Sequence, residues 1–242
     1  MTPVGGIVHG LIPTEWVAGV VQSRFSASPS YARRHLKGAV MSTTGYEKMR
    51  AGEYYPCPDF ELIGLQMAAR QKLDAFNALG ATEGLERNAM LKDLLGSFGT
   101  SFIVSPVTWE YGKHIHIGDA VLINYDCIFL DGADVTIGDG TVVAPRVQFL
   151  TAGHPVDANE RVTYDPATGK RNGGMTINKP ITIGKDCWIG AGAIILGGVT
   201  IGDGTTIGAG SIVTRDIPTG VVAVGNTCRV LRPASVKVAN AA

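Results

Sequence analysis

A six-residue repeat is the feature of this sequence that most restricts its fold. From residue 181 to residue 216 the chain can be written without gaps as ITIGKD, CWIGAG, AIILGG, VTIGDG, TTIGAG and SIVTRD. The third position is aliphatic in every hexad, and the fourth is usually glycine. An α-helix has no period of six, whereas short strands do if each turns a corner after its aliphatic residue. The repeat therefore predicts a parallel β-helix, in which aliphatic side chains fill the axis and successive turns stack.

A second block of the repeat precedes the first. It reads IHIGDA, VLINYD and CIFLDG, then two further residues, then VTIGDG, TVVAPR and VQFLTA. Glycine is 32 of 242 residues, well above the usual ~7%. We assign the glycine after each aliphatic residue to a corner that needs backbone freedom. The repeat region is expected to span residues 99–233, and residues 153–179 are expected to leave it as an extruded loop.

The preceding segment, residues 42–98, has a helical pattern instead. Between residues 58 and 80 apolar side chains recur at three- and four-residue spacing, at Leu62, Leu65, Ala69, Leu73 and Phe76. Asp59 is the candidate N-cap of this helix and Gly80 its candidate stop. A second helix is expected to begin after Thr82 as its cap and to end at Gly96. The fold class is therefore mainly β, a β-helix with an N-terminal helical segment.

The first 41 residues differ in composition from the rest. Residues 1–40 contain four basic residues, several serines and a single acid, Glu15. A targeting segment is one interpretation, because transit peptides are basic, serine-rich and poor in acids. We favour the other, a poorly ordered extension ahead of a true start at Met41, because no continuous apolar core of a signal peptide is present. Residues 234–242 are expected to form a tail.

Charge and cysteine usage limit the classes of function. Lysine plus arginine and aspartate plus glutamate are 21 each, which argues against a nucleic-acid or membrane-surface protein because both usually need a basic field. The sequence contains no run of about 18 apolar residues of the kind that spans a membrane.

No cysteine belongs to a CxxC pair, so we expect four buried thiols in a reducing cytoplasm: Cys57, Cys127, Cys187 and Cys228. His114 and His116 share a strand face but lack a third ligand, and we expect them to point outward with no metal.

Longer stretches resemble one known family. They are YEKMRAGEYY at 46–55, IHIGDAVLINYDCIFLD at 115–131, TAGHPVD at 151–157, the repeat with its flanks at 180–218, and CRVLR at 228–232. Over about residues 42–233 the chain resembles the hexapeptide-repeat acyltransferases, specifically the maltose, galactoside and nodulation O-acetyltransferase group. The resemblance implies a left-handed β-helix, a homotrimer, and acetyl-CoA as the co-substrate between neighbouring subunits.

The resemblance also implies two catalytic residues. His154 in TAGHPVD matches the histidine that the extruded loop carries into the cleft between subunits. Moving an acetyl group to a hydroxyl requires removal of the hydroxyl proton, and imidazole is the usual general base near neutral pH. Asn124 in INYD matches an asparagine that faces this histidine from the adjoining subunit. An asparagine at a hexad corner is also explained by its tolerance of positive φ.

Further residues match positions at the cofactor and acceptor sites. The cofactor set is Trp188, Ala191, Ala209, Thr214, Arg215, Arg229 and Arg232, in which guanidinium groups suit the phosphates of CoA. On the acceptor side, Asp131 is expected to bond a sugar hydroxyl. Cys57 and Gly132 stand where the galactoside enzyme of the family has acids, which puts galactoside recognition in doubt. Thr227 replaces a proline usual in the family.

The sequence therefore predicts a cytoplasmic O-acetyltransferase that acts directly on a sugar or a related hydroxyl compound. An acetyltransferase for an amino sugar or an antibiotic is a second interpretation, because the acceptor loop does not decide between them. A non-catalytic scaffold, or a metal protein like the carbonic anhydrases of this fold, is a third. The metal protein requires three histidines that converge across a trimer interface.

Overall fold

The computed structural model describes residues 43–80 and 82–235. The extension of residues 1–41 and residues 236–242 of the expected tail lie outside the described residues. Within the described ranges, no helix is both long enough and apolar enough to cross a membrane. The helices are α1 (Gly45–Arg50), α2 (Phe60–Ala78), α3 (Gly84–Leu94) and α4 (Ala158–Arg161).

The strands are short and follow one another closely. In chain order they are β1 (Tyr55–Cys57), β2 (Ser97–Phe98), β3 (Phe102–Ile103), β4 (Val107–Trp109), β5 (Ile115–Ile117), β6 (Leu122–Ile123), β7 (Cys127–Leu130), β8 (Val135–Ile137), β9 (Val142–Val143), β10 (Gln148–Leu150), β11 (Ala152–Gly153), β12 (Val162–Tyr164), β13 (Arg171–Asn178), β14 (Ile181–Ile183), β15 (Trp188–Ile189), β16 (Ile194–Leu196), β17 (Thr200–Ile201), β18 (Thr206–Ile207), β19 (Ile212–Val213), β20 (Val221–Val224) and β21 (Arg229–Pro233).

Three parallel sheets form the walls of a solenoid. Sheet A contains β2, β5, β8, β14 and β17, and sheet C contains β4, β7, β10, β16 and β19. Sheet B contains β3, β6, β9, β15, β18 and β20, and β21 closes it as an antiparallel edge. The chain passes through A, B and C in order and makes about six turns. The prediction of a mainly β solenoid with a few N-terminal helices is confirmed.

The aliphatic third position of each hexad lies inside the solenoid. Ile183, Ile189, Ile195, Ile201, Ile207 and Val213 are all fully buried. They stack in register, so that Ile189 of β15 lies over Ile207 of β18. Burial of each such side chain is worth about 1.5–3 kcal/mol, so these stacked residues of the three sheets contribute much to the stability.

First-position residues are also buried, and these include two of the cysteines. Cys127 and Cys187 lie inside the solenoid, and Cys228 is buried near its end. Cys57 is exposed instead. The prediction of four buried cysteines is therefore wrong for Cys57, because this residue lies on β1, outside the repeat.

The glycine at the fourth hexad position has a different role from the one predicted. The positive φ that turns the corner occurs at the sixth position, as at Asp186 (φ 52°) and Gly192 (φ 67°). A Cβ at Gly184 would lie 2.6 Å from the backbone N of Asp203, and one at Gly190 would lie 2.5 Å from that of Ala209. The fourth position is therefore glycine because the next turn approaches too closely for a side chain.

The N-terminal helices pack on the first turns of the solenoid. The Asp59 carboxylate accepts the N–H of Leu62 at 3.1 Å, which confirms the predicted cap of α2. This helix buries Leu62, Leu73 and Phe76, but Leu65 of the predicted stripe is exposed. The expected cap at Thr82 is wrong, because α3 begins after Glu83 with no side-chain cap. The Glu83 carboxylate instead accepts the N–H of Gly80 at 2.5 Å.

We call the bend between two successive sheets a corner. The chain leaves the solenoid at the C/A corner after β10 and returns at β14. In this excursion β13 pairs antiparallel with β11 and with β12, and β1 of the N-terminal segment pairs with β13 as well. The extruded loop therefore forms a small antiparallel sheet of β11, β12 and β13, to which the N-terminal segment adds β1.

Candidate active site

His154 directly follows β11 at the base of the extruded loop. Its side chain is exposed, and its Nδ1 lies 2.8 Å from the carbonyl oxygen of Met175 on β13. A carbonyl oxygen only accepts hydrogen bonds, so Nδ1 carries the proton and donates it. Nε2 of the neutral ring is then the unprotonated nitrogen, with its lone pair available to accept a proton. The Thr176 hydroxyl lies 3.5 Å from Nδ1.

The chain on either side of His154 is fixed by local contacts. Gly153 lies opposite Ile177 in the β11–β13 ladder, which brings His154 next to Met175. After His154, the Arg161 guanidinium donates to the carbonyls of Pro155 at 3.0 Å and Val156 at 2.9 Å. The loop therefore presents the imidazole from a bonded hairpin rather than from a free segment.

Asn124 lies at the B/C corner, after β6. Its Oδ1 accepts the N–H of Tyr125 at 2.9 Å, and its own N–H donates to Val143 at 3.0 Å. The positive φ of this corner belongs to Asp126 (φ 60°). Positive φ therefore does not explain an asparagine at position 124. No hydrogen bond between described residues joins Asn124 to His154, because the two occupy different corners of the solenoid.

Four of the seven residues predicted to bind the cofactor lie at the same two corners. Ala191 and Ala209 are exposed at the B/C corner, one turn apart, where the N–H of Gly210 donates to Ala191 at 2.9 Å. Thr214 and Arg215 are exposed at the C/A corner, which also carries the loop of His154. A single chain therefore does not bring all of them to one face.

The other three predicted cofactor residues lie on sheet B. Trp188 in β15 has 55% of its surface exposed on the outer face of the sheet. Arg229 and Arg232 lie on β21, where Arg229 pairs with Val224 and Arg232 with Val222. Trp188 therefore lies within sheet B, and the two arginines lie on its edge strand at the C-terminal end of the solenoid.

Asp131 is placed differently from what a direct contact with an acceptor requires. Its carboxylate is 0% exposed, and Oδ1 accepts the N–H groups of Glu110 and Tyr111, each at 2.9 Å. Oδ2 is buried without a hydrogen-bond partner among the described residues. Burial raises the pKa of Asp131, against the lowering effect of these two N–H donors. Asp131 fastens one turn of the solenoid to the next in this structure.

A group of polar side chains lies around Asp131, and the sequence did not single it out. Burial, followed by the Asp131 charge, raises the pKa of Glu110 to about 7. Gln66 of α2 donates to Glu110 at 3.4 Å and to the Tyr111 hydroxyl at 3.1 Å. These contacts join α2 to the turn that follows β4.

His114 is buried, so the expectation that it points outward is wrong. Its Nδ1 donates to the carbonyl of Asp131 at 2.5 Å, and its Nε2 lies 3.1 Å from the Tyr46 hydroxyl. Burial lowers its pKa. The N-terminal helices cover this face of sheet A, which hexad spacing alone does not reveal. Within the described residues, no group of three or more histidine, cysteine, aspartate or glutamate side chains could hold a metal ion.

A cavity of about 450 Å³ lies between α2 and the first turns of the solenoid. It is lined mainly by Tyr46, Leu65, Ala69, Leu94 and Tyr111. None of the residues predicted to bind acetyl-CoA or to act in catalysis lines it. We therefore locate the candidate site at the corners of the solenoid and not in this cavity.

Cys57 of β1 lies beside the extruded loop. It pairs with Gly174 of β13, and a Cβ at Gly173 would lie 2.5 Å from the Cys57 carbonyl. Its neighbour Tyr55 is buried, with its hydroxyl bonded to Asn178 at 2.8 Å. The sequence did not indicate Tyr55, Met175 or Asn178 as site residues, because the pairing of β1 with β13 has no periodic signal.

Comparisons with known proteins agree with this architecture. Residues 180–215 match the bacterial transferase hexapeptide (six repeats) model, and residues 48–99 match the maltose acetyltransferase hexapeptide capping motif. Nodulation protein L of Rhizobium meliloti is 41% identical over 191 residues, which are 78% of this chain and 99% of that protein.

Two solved structures are similar over most of the chain. A maltose O-acetyltransferase from Clostridium difficile has 40% identity and a TM-score of 0.72, over 80% of this chain and 98% of its own. A galactoside acetyltransferase in complex with coenzyme A has 35% identity and a TM-score of 0.70, over 79% of this chain and 91% of its own. The capping-motif match covers α2 and α3, and the repeat match covers β14–β19. The chain therefore belongs to the hexapeptide-repeat acetyltransferase family.

Proposed function

We propose that the chain is an acetyl-CoA-dependent O-acetyltransferase that acetylates a hydroxyl of a sugar or a related small molecule, with His154 as its general base. The observation that carries this proposal is the contact between His154 Nδ1 and the Met175 carbonyl at 2.8 Å. In the neutral ring it makes Nε2 the nitrogen with a free lone pair, on an exposed side chain, which is the form that a general base requires. The relatives support the cofactor and the reaction class by their names and by the coenzyme A complex.

The reaction then proceeds by direct transfer. Nε2 of His154 accepts the hydroxyl proton as the acceptor oxygen attacks the thioester carbonyl. A carbon–oxygen bond forms and, when the tetrahedral intermediate collapses, the carbon–sulfur bond breaks. The imidazolium returns the proton to the departing CoA sulfur, so protons and electrons balance. Acid–base assistance of this kind contributes ~10²–10⁴-fold.

The cysteines inside the solenoid do not support a covalent acyl-enzyme. Cys127 and Cys187 are buried, and burial raises the pKa of each thiol, to about 11 for Cys127. A buried thiol with a raised pKa forms little thiolate, which is the nucleophilic form. This supports transfer within a ternary complex.

The division of the candidate residues between two corners supports a homotrimer. His154, Thr214 and Arg215 belong to the C/A corner, whereas Asn124 and Ala191 belong to the B/C corner. A head-to-tail contact that closes into a ring brings one corner of a subunit against the other corner of its neighbour. The proposed active site is therefore completed by two chains, and a trimer contains three such sites.

The acceptor of this reaction is a sugar or a related hydroxyl compound. The names of the relatives favour maltose- or galactoside-like sugars. The exposed thiol at Cys57 and the missing side chain at Gly132 favour an acceptor other than a simple galactoside, and an amino sugar or an antibiotic remains the second candidate. The metal-protein interpretation loses support, because both ring nitrogens of His114 are already in contact with protein atoms. Action in the cytoplasm stays a prediction.

The test measures release of the CoA thiol from acetyl-CoA across a panel of glycosides, amino sugars and aminoglycoside antibiotics. We expect His154→Ala to lower kcat by about 10²-fold or more, with the Kd for coenzyme A nearly unchanged. His116→Ala is the matched control, because His116 is a half-buried histidine that contacts Asp134 at 3.4 Å, on sheet A. Equal thiol release by the native protein and the His154 variant would refute the role of His154.

A further inference from the structure

The hydrogen bond that orients His154 depends on the position of one backbone carbonyl. Met175 lies in the middle of β13, and this strand is outside the stacked repeat. On one side β13 pairs with β11, where Asn178 is opposite Ala152. On its other side β13 pairs with β1, where Met175 is opposite Pro56. The carbonyl that fixes His154 is therefore held by a strand of the N-terminal segment as well as by the loop itself.

One buried side chain ties these strands together. Asn178 Nδ2 donates to the Tyr55 hydroxyl of β1 at 2.8 Å. Asn178 Oδ1 lies 3.0 Å from Oγ1 of Thr151, the residue that precedes β11. The side chain of Asn178 also fills the space beside Gly132, where a Cβ would lie 2.4 Å from its Oδ1. The amide thus joins the N-terminal segment, the extruded loop and the C/A corner of the solenoid at one point.

These contacts are protected from water. Tyr55 and Asn178 are both buried, so water does not replace either partner when the other is lost. Burial raises the pKa of Tyr55 to about 12, and its hydroxyl therefore remains neutral at physiological pH. The Met175 carbonyl moves with β13, and it is the acceptor that holds the Nδ1–H of His154 at 2.8 Å.

We propose that Tyr55 and Asn178 are positioning residues for acetyl transfer, which hold β13 so that the Met175 carbonyl keeps His154 in its base tautomer. This inference rests on the proposed role of His154 as general base. Neither residue touches a substrate in this scheme. The N-terminal segment then contributes to catalysis by aligning the base, and not only by covering the solenoid.

Tyr55→Phe removes a single oxygen atom and retains the buried ring. We expect it to lower kcat by about tenfold, because displacement of a catalytic group by a fraction of an ångström is costly in rate. The KM for acetyl-CoA should remain within about twofold of the native value, because Tyr55 is not among the residues predicted to bind the cofactor. Asn178→Ala removes both contacts and should lower kcat further.

Tyr111→Phe is the matched control. Tyr111 is also buried, and its hydroxyl also joins the N-terminal segment to the solenoid, through Gln66 at 3.1 Å. It makes no hydrogen bond to β13 among the described residues. If the hydroxyl of Tyr55 serves stability alone, the two variants should behave alike, and if it positions His154, only Tyr55→Phe should lower kcat.

The tautomer of His154 gives a readout that does not depend on the acceptor. In ¹⁵N-histidine-labelled protein, assigned by the signals lost in His154→Ala, we expect the Nδ1–H form for His154 in the native protein and in Tyr111→Phe. We expect a mixture of tautomers in Tyr55→Phe. A pure Nδ1–H form in Tyr55→Phe together with native kcat would overturn the inference, even if Asn178→Ala fails to fold. Native thiol release by His154→Ala would instead overturn the proposed function.

Discussion

Glu110 should make the folded protein less stable as the pH rises from about 4.5 to about 7. Burial, followed by the charge of Asp131, raises the pKa of Glu110 from an ordinary 4.5 to about 7. The native state therefore binds a proton that the unfolded chain has already released between about pH 4.5 and 7, and the free energy of unfolding falls with pH in that window. At ~1.4 kcal/mol per pH unit, the difference amounts to about 3 kcal/mol above pH 7.

Glu110→Gln replaces the carboxyl by a neutral group of the same shape. Its side-chain oxygen remains available to Gln66, which donates to Glu110 at 3.4 Å. The variant should therefore lose the Glu110 contribution to the pH dependence and become more stable than the native protein at pH 8, by up to about 3 kcal/mol. At pH 4.5 the two proteins should be equally stable. Asp131 is present in both, so the difference between them isolates Glu110.

The assay is urea unfolding at one protein concentration, repeated at half-unit steps from pH 4.5 to pH 8.5. Glu86→Gln is the matched control, because Glu86 is exposed on α3 and the chemical change is the same. We expect the control to follow the native curve. Parallel curves for the native protein and Glu110→Gln across the whole range would refute the raised pKa of the half-buried carboxyl at position 110.

Two further predictions concern stability. Asp131→Ala should lower the free energy of unfolding by about 3 kcal/mol, measured by urea unfolding at pH 7, because the N–H groups of Glu110 and Tyr111 lose their acceptor; a raised acceptor KM with unchanged stability would instead restore a substrate role for Asp131. Ile207→Ala should cost about 2–5 kcal/mol by the same measurement, because it opens a cavity in the buried column, whereas Ile194→Ala on the partly exposed second hexad position should cost less.

The solenoid could be predicted from the sequence because its rule is local and repeated. The third residue of each hexad points inward, and the six aliphatic residues at this position, from Ile183 to Val213, are all buried. The reason for the glycines could not be predicted in the same way. Gly184 is crowded by Asp203, which is 19 positions later, and a one-dimensional repeat does not show what stacks against it. Handedness came from the family resemblance and not from the spacing.

The candidate site could be predicted only in part, for a related reason. His154 and Asn124 were indicated by short motifs, and their motifs carry no information about distance in space. The support of His154 by Met175, and of β13 by Tyr55, depends on antiparallel pairing between segments far apart in the chain. Asn178 and Tyr55 are 123 residues apart. Neither residue type is unusual at its position, so no local pattern could have indicated the pair.

The separation of His154 and Asn124 between two corners leads to a test of the assembled enzyme. If the active site contains His154 from one chain and Asn124 from the next, His154→Ala and Asn124→Ala each inactivate every site of their own trimer. A ring that contains both variants has one interface at which both native residues meet, and this interface should be active. Coexpression with two different affinity tags, followed by sequential purification, isolates these mixed rings. We expect about one third of native thiol release, since one of the three sites is intact. Two differently tagged copies of His154→Ala, purified in the same way, provide the background. If one chain supplied both residues, no mixed ring would contain an intact site, and its activity would stay at that background.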